Sequence, residues 1–361
     1  MDSKKIILIT LAFLFGIIIL IYVYRIYPSI LNLAFRFSIK EREIPNQTKK
    51  IIYYPIADPK EVWIFILDKG MDSYGNSYHI ESNLGIELAE IFLKNQFLPI
   101  FYKRLDSHQH PSVFFSIQKL SDEFREIFNS ILKSKSFEKK PISIFALGQG
   151  CTVFLNSLSK FKEIDLITKV YLVNCGYPDS LLSFYGNLIF DSMKFSKVEE
   201  EILIQARKEW QEWYSLKNYE SYTEEKWKKE QEEFVKNKIH PDLISFRKTI
   251  RNFQKEENMA FLKEAKEIYF YPLLEVLLKR KNMKVFHLIS EFDEEMPEEI
   301  FQEIKKNSLK YTQLNYHLRV LKNTNHLLYY LEQKPRSPIE VAFSRNLFGK
   351  KISKYFINNL N

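Results

Sequence analysis

The sequence predicts an α/β fold: a mainly parallel sheet with helices on both faces, an inserted helical cap and one N-terminal transmembrane helix. Three observations predict it. Residues Ile6 to Val23 are apolar except for Thr10, Gly16 and Tyr22. Further on, continuous apolar runs alternate with helix-period segments, as in a sheet whose strands are covered on both sides. Between about Leu181 and Lys281 that alternation breaks into charge-rich amphipathic stretches carrying Trp210, Trp213 and Trp227.

The first run is about 18 residues long, enough to cross a bilayer core with little tilt. Lys4 and Lys5 precede it, and Tyr22, Tyr24 and Tyr27 close it where amphipathic rings favour the headgroup level. Bulky residues follow the run and no small-residue cleavage site is present, so a retained signal anchor is expected over 1–28, with a cleavable signal peptide as the alternative. Arg25, Arg36, Lys40 and Arg42 balance Lys4 and Lys5, so the positive-inside rule does not set the side of the membrane. A basic juxtamembrane connector over 29–50 leads into a domain over 51–361.

Strands are predicted at Val62 to Leu67, Phe97 to Tyr102, Ile142 to Leu147, Lys169 to Asn174, Lys284 to Ile289 and Tyr316 to Leu321. Helices are predicted near 84–94, 117–133, 151–159, 298–306 and 339–358. The stretch 181–281 reads as a helical cap inserted between two strands, its tryptophans anchoring an amphipathic bundle.

Composition excludes several classes of function. Hydrophobic residues make up 45% and charged residues 27% of the 361, which rules out wholesale disorder. The net charge of +8 comes from basic residues interleaved with Glu, notably from Lys197 to Lys266, which is the pattern of solvated helix faces. No nucleic-acid-binding module is recognisable, so no nucleic acid partner is expected. The two cysteines, Cys151 and Cys175, form neither a C-x-x-C pair nor a disulfide framework. His79, His108, His110, His240, His287 and His317 show no paired ligand spacing on a helix, and His108-Gln109-His110 reads as an exposed loop. Neither a metal nor a cofactor is expected.

The chemistry concentrates after three of the strands. A nucleophile on a sharp strand-to-helix turn, G-x-S-x-G, needs small neighbours to permit the strained backbone. Gly148-Gln149-Gly150-Cys151-Thr152 follows a strand and enters a helix, and read in this register Gly150 holds the nucleophile position, with the Ser absent. Asp293 follows a later strand, where it could equally cap the next helix, and His326 follows the last one. The order nucleophile, Asp, His is that of the α/β hydrolases.

These residues resemble the α/β-hydrolase superfamily, more narrowly bacterial esterase and serine-peptidase-like members with a helical cap. The loop Gly70-Met71-Asp72-Ser73-Tyr74-Gly75-Asn76 is similar to the glycine-rich loop of those members. The resemblance implies residual acid and base positions at Asp293 and His326, and oxyanion-hole backbone N–H groups from Gly70 or Met71 and from Cys151. Without a hydroxyl at Gly150 no acyl-enzyme forms by the standard route. The expectation is a membrane-anchored, catalytically degenerate pseudohydrolase that binds an acyl or lipid-like small molecule or a protein partner. The alternative is an active ester or amide hydrolase in which His326 and Asp293 act with water or with an unconventional nucleophile, Cys151 or Thr152. Cys151 also reads as an ordinary buried cysteine packed against the sheet.

Overall fold

The structure, a computed structural model, describes residues 14–16, 42–43, 51–53, 56–68, 83–102, 115–134, 137, 140–158, 164–177, 180–185, 256–280, 282–296, 298–311, 315–335, 340 and 352–360, with scattered positions between 199 and 236. Its strands are β1 (Arg42–Glu43), β2 (Ile51–Tyr53), β3 (Glu61–Ile66), β4 (Phe97–Tyr102), β5 (Ile142–Leu147), β6 (Ile167–Val173), β7 (Lys284–Ser290) and β8 (Tyr316–Leu321). Its longer helices are α1 (Asn83–Lys94), α2 (Ile117–Leu132), α3 (Gln149–Ser157), α4 (Glu256–Glu267), α5 (Phe270–Leu278) and α6 (Glu298–Ser308), with a short α7 (Lys354–Ile357) near the C-terminus.

The strands form one sheet in the order β1-β2-β4-β3-β5-β6-β7-β8. From β4 through β8 every neighbouring pair is parallel, while β2 runs antiparallel to both β1 and β4. The six parallel strands are those predicted from apolar runs. β1 and β2 were not predicted, since two or three residues are too few to display a period, and β1 falls in the stretch read as a connector.

Both faces of the sheet are covered, and β3 shows why. Val62, Ile64 and Ile66 enter the core shared with α2, α3, α4 and α5. Trp63, Phe65 and Leu67 enter the opposite core with α1 and α7. Successive side chains of a strand point to opposite faces, so a strand buried on both must be apolar throughout its length. The α2 N-terminus is capped by Ser116, whose Oγ accepts from the Lys119 N–H at 3.1 Å. The same hydroxyl donates to Glu264 at 2.6 Å, which ties α4 to the start of α2.

The order of crossovers positions the site. From β3 the chain crosses to β4 on one side, then returns past β3 to β5 on the other. The carboxyl ends of β3 and β5 therefore flank a point where the winding reverses, and α/β sheets place their ligand crevices there.

Within 181–281 the described helical parts are 181–185, scattered positions between 201 and 236, α4 and α5, and the three tryptophans lie outside the described residues. Apart from 14–16, so does the expected anchor over 6–23. Among the described residues no helix is long and apolar enough to cross a membrane.

Candidate active site

At the end of β5 the chain turns sharply into α3, and the residue at the apex is Gly148, with φ 53° and ψ −122°. A positive φ of this kind is strained for any residue with a Cβ. This corrects the register read from the sequence, in which Gly150 was the apex. Gly150 lies inside α3, and a Cβ there would sit 2.8 Å from the Ile66 carbonyl carbon and 2.9 Å from the Leu67 oxygen, closer still to the Ile66 oxygen. It is glycine because α3 abuts the backbone leaving β3. The turn is thus Ala146-Leu147-Gly148-Gln149-Gly150, with small residues at its first, middle and last positions.

The shift of two residues reassigns the neighbours. Cys151 N–H bonds to the Gly148 carbonyl at 3.1 Å and belongs to the first turn of α3, so the amide that follows the apex is that of Gln149. The Cys151 sulfur is bonded to that of Cys175, past the end of β6, which removes the thiol as an alternative nucleophile and supplies a disulfide that the spacing had not disclosed. Thr152 is buried and shares a hydrogen bond with the Tyr177 hydroxyl at 3.3 Å. Gly70 and Met71 lie outside the described residues.

The side-chain space above the apex is taken by a residue that sequence reasoning missed. Asp68, just past β3, accepts the Gln149 N–H through Oδ1 at 2.6 Å. Its Oδ2 meets His326 Nε2 at 3.1 Å. A Cβ built on Gly148 would lie 2.7 Å from that same Oδ2. The carboxylate therefore fills the volume into which an apex side chain would project. No spacing in the sequence signals it, because Asp68 reaches the apex from the end of a different strand.

His326 and Asp293 come together. His326 Nδ1 lies 3.0 and 3.1 Å from the two oxygens of Asp293. Asp293 is also anchored to the turn after β7 by the Glu295 N–H, which donates to Oδ1 at 2.8 Å. The His326 N–H donates to Glu294 at 3.1 Å, and Glu295 Oε2 stands 3.7 Å from Nε2. Asn174, in a left-handed conformation after β6, donates to the His326 carbonyl at 2.6 Å and accepts the Ser290 N–H at 2.7 Å. The ends of β6, β7 and β8 are thereby tied around one imidazole.

Burial opposes a charge on this ring, but the nearby carboxylates of Asp293, Glu295 and Asp68 outweigh it and hold its pKa well above the ordinary value. At neutral pH both ring nitrogens therefore carry protons and donate to carboxylates. An imidazolium in that state cannot take a proton from a hydroxyl or a water.

On the side of residues 181–185, Gln149 Nε2 donates to the Tyr185 hydroxyl at 3.2 Å. Burial pushes that phenol's pKa upward, and Asp68 adds to the shift, so it stays protonated. Tyr185 packs edge-on against Phe261 of α4 at 5.5 Å, and Phe184 bridges it to Tyr177. Asp68, Gln149 and His326 thus form a polar cluster beside an aromatic one. Asp68, Glu295 and His326 also present one donor atom each within 4.8 Å of one another.

A glycine-flanked positive-φ turn from a central strand into a helix, with Asp and His following in chain order after later strands, is a specific arrangement. The fold is that of the α/β hydrolases. No protein-family model matches the sequence, and no curated protein matches it. Among solved structures, this hydrolase fold is similar to an esterase from Pyrococcus furiosus, at 13% identity and a TM-score of 0.46 over 81% of this chain and 84% of that one. It is also similar to a carboxylesterase from the thaumarchaeon Nitrososphaera gargenis, at 14% identity and 0.42 over 80% and 91% of the two chains. A haloalkane dehalogenase variant from Bradyrhizobium elkanii gives 10% identity and 0.40 over 80% and 90%.

Proposed function

We propose that the chain is a membrane-tethered pseudohydrolase, a hydrolase-fold protein that binds an apolar or acyl ligand, or a partner presenting such a group, without forming an acyl-enzyme. One observation carries the reading. The Gln149 amide and His326 Nε2, the two groups a serine hydrolase would turn toward its oxyanion and its nucleophile, are both engaged by the Asp68 carboxylate above an apex that has no side chain. A carboxylate in the anion site repels the developing oxyanion that the site would otherwise stabilise. The aromatic cluster of Tyr177, Phe184, Tyr185 and Phe261 beside the site supports an apolar ligand, and the run from Ile6 to Val23 supports tethering at a membrane.

The test is turnover of p-nitrophenyl esters by the full chain in detergent, beside Gly148→Ser/Asp68→Ala and His326→Ala. The expected result is no turnover by wild type and an acylation burst in the double variant, where a hydroxyl replaces the carboxylate. Gly148→Ser alone stays silent, because its Cβ collides with Asp68. Wild-type turnover that disappears in His326→Ala would overturn the proposal in favour of an active hydrolase.

A further inference from the structure

The polar cluster at His326 has a second chemical property, independent of acyl transfer. His326 Nε2 stands 3.1 Å from Asp68 Oδ2 and 3.7 Å from Glu295 Oε2. A tetrahedral ion with bonds of about 2.0–2.1 Å separates its ligand atoms by roughly 3.3 Å. The two distances bracket that value, so a cation would enter with shifts of only a few tenths of an ångström on the histidine side. The remaining pair lies within 4.8 Å and would close by a carboxylate rotation.

The outer contacts support the three donors separately. His326 is oriented by Asp293 on Nδ1, leaving Nε2 toward the centre, which is the carboxylate–histidine arrangement that fixes the tautomer and raises the basicity of a metal-binding imidazole. Asp68 is held through Oδ1 by the Gln149 amide, leaving Oδ2 inward. The Glu295 N–H is bound to Asp293, which fixes its backbone beside the histidine. The three donors come from the ends of β3, β7 and β8, so the sheet itself sets their spacing.

We propose that Asp68, Glu295 and His326 form a binding site for a divalent transition-metal ion, Zn²⁺ matching it best, with Asp293 as a positioning residue. One imidazole with two carboxylates suits Zn²⁺ better than Mg²⁺ or Ca²⁺, which prefer all-oxygen shells. Three protein donors leave a fourth coordination position, which water or an anionic ligand group would complete. The ion would take the place of the ring proton shared between His326 and Asp68. This inference does not depend on the ligand-binding reading, because ester turnover and metal uptake are separate measurements and either can fail alone.

The full chain in detergent, stripped with a chelator, would be titrated with Zn²⁺ by calorimetry and with Co²⁺ by visible absorption. One tight equivalent is expected, with the intense d–d bands of a tetrahedral site. Asp293→Asn should weaken binding by about 10–100-fold, and Glu295→Gln or Asp68→Asn at least as much, whereas exposed His317→Ala should leave it unchanged. Glu295 is 33% exposed, so its loss leaves folding intact, and an unchanged circular dichroism spectrum checks this. Either no stoichiometric uptake by wild type, or uptake that persists in Asp68→Asn/Glu295→Gln, would overturn the site, the latter marking an adventitious ion only.

Discussion

Two histidines, both removed from water, differ in charge. His287 sits mid-strand on β7, fully buried, and Tyr316 and Cys175 take its two nitrogens: the Tyr316 hydroxyl lies 2.7 Å from Nδ1 and the Cys175 carbonyl 2.7 Å from Nε2. A carbonyl only accepts, so Nε2 carries the proton and Nδ1 accepts from the phenol. Burial dominates there and pushes the pKa down to about 4. His326, 3% exposed, is also opposed by desolvation but faces carboxylates, and its pKa moves up. Burial thus sets what a charge costs, and the neighbours decide whether it is carried. The neutral ring serves the core, whereas the charged one gathers the carboxylates at the strand ends.

The largest expected effect comes from removing the carboxylate that most separates the two. Asp293 is 3% exposed and is the nearest counter-charge on His326 Nδ1. Breaking a buried pair by removing one partner typically costs about 3–5 kcal/mol. Asp293→Asn should therefore lower the urea-unfolding free energy at neutral pH by about 4 kcal/mol. A loss under about 1 kcal/mol would mean that Asp68 and Glu295 hold the imidazolium without it.

The second effect belongs to His287 and has a definite sign. Its folded pKa, about 4, lies below the unfolded value of about 6.5. The unfolded state then binds more protons between these limits, so stability is full above about pH 6.5 and falls as pH drops toward 4. The difference of roughly 2.5 units corresponds to about 3 kcal/mol. His287→Phe should be less stable at pH 7, since it strands the Tyr316 hydroxyl and the Cys175 carbonyl, but its decline with acid should be shallower than that of wild type by about that amount. Equal slopes in the two proteins would show that His287 is not the group that charges.

Much of this could be read in the sequence, and the exceptions share a cause. The six parallel strands are continuous apolar runs because both faces are buried, so each announced itself. Asp293 and His326 were found because they follow strand ends in a known order. The apex was misplaced because Gly148 and Gly150 stand two apart, and only backbone conformation tells a glycine needed for positive φ from one needed for close helix packing. Asp68 was missed because it lies 258 positions from His326, and no spacing rule links the end of β3 to the turn after β8. The Cys151–Cys175 bond escaped for a related reason: β5 and β6 are parallel neighbours, which brings their carboxyl ends side by side although the cysteines are 24 residues apart. Local chemistry was legible, whereas pairings made by the sheet had to await the sheet.

The smallest effect tests whether burial alone keeps His287 neutral. Burial raises the pKa of the Tyr316 hydroxyl, so it remains a donor to Nδ1 across the physiological range. Tyr316→Phe deletes that donor and leaves a buried acceptor unmatched, at a cost of about 1–3 kcal/mol. A hydrogen bond made only to the neutral ring disfavours its protonation, so losing it should also raise the His287 pKa from about 4. The acid decline of Tyr316→Phe should still begin near pH 6.5 but end at a higher pH and be smaller than in wild type, and the His287 ring signals in NMR should titrate at a higher midpoint. An unmoved midpoint would assign the neutral state to desolvation alone, and the contrast with His326 would rest entirely on the carboxylates at the mouth of the sheet.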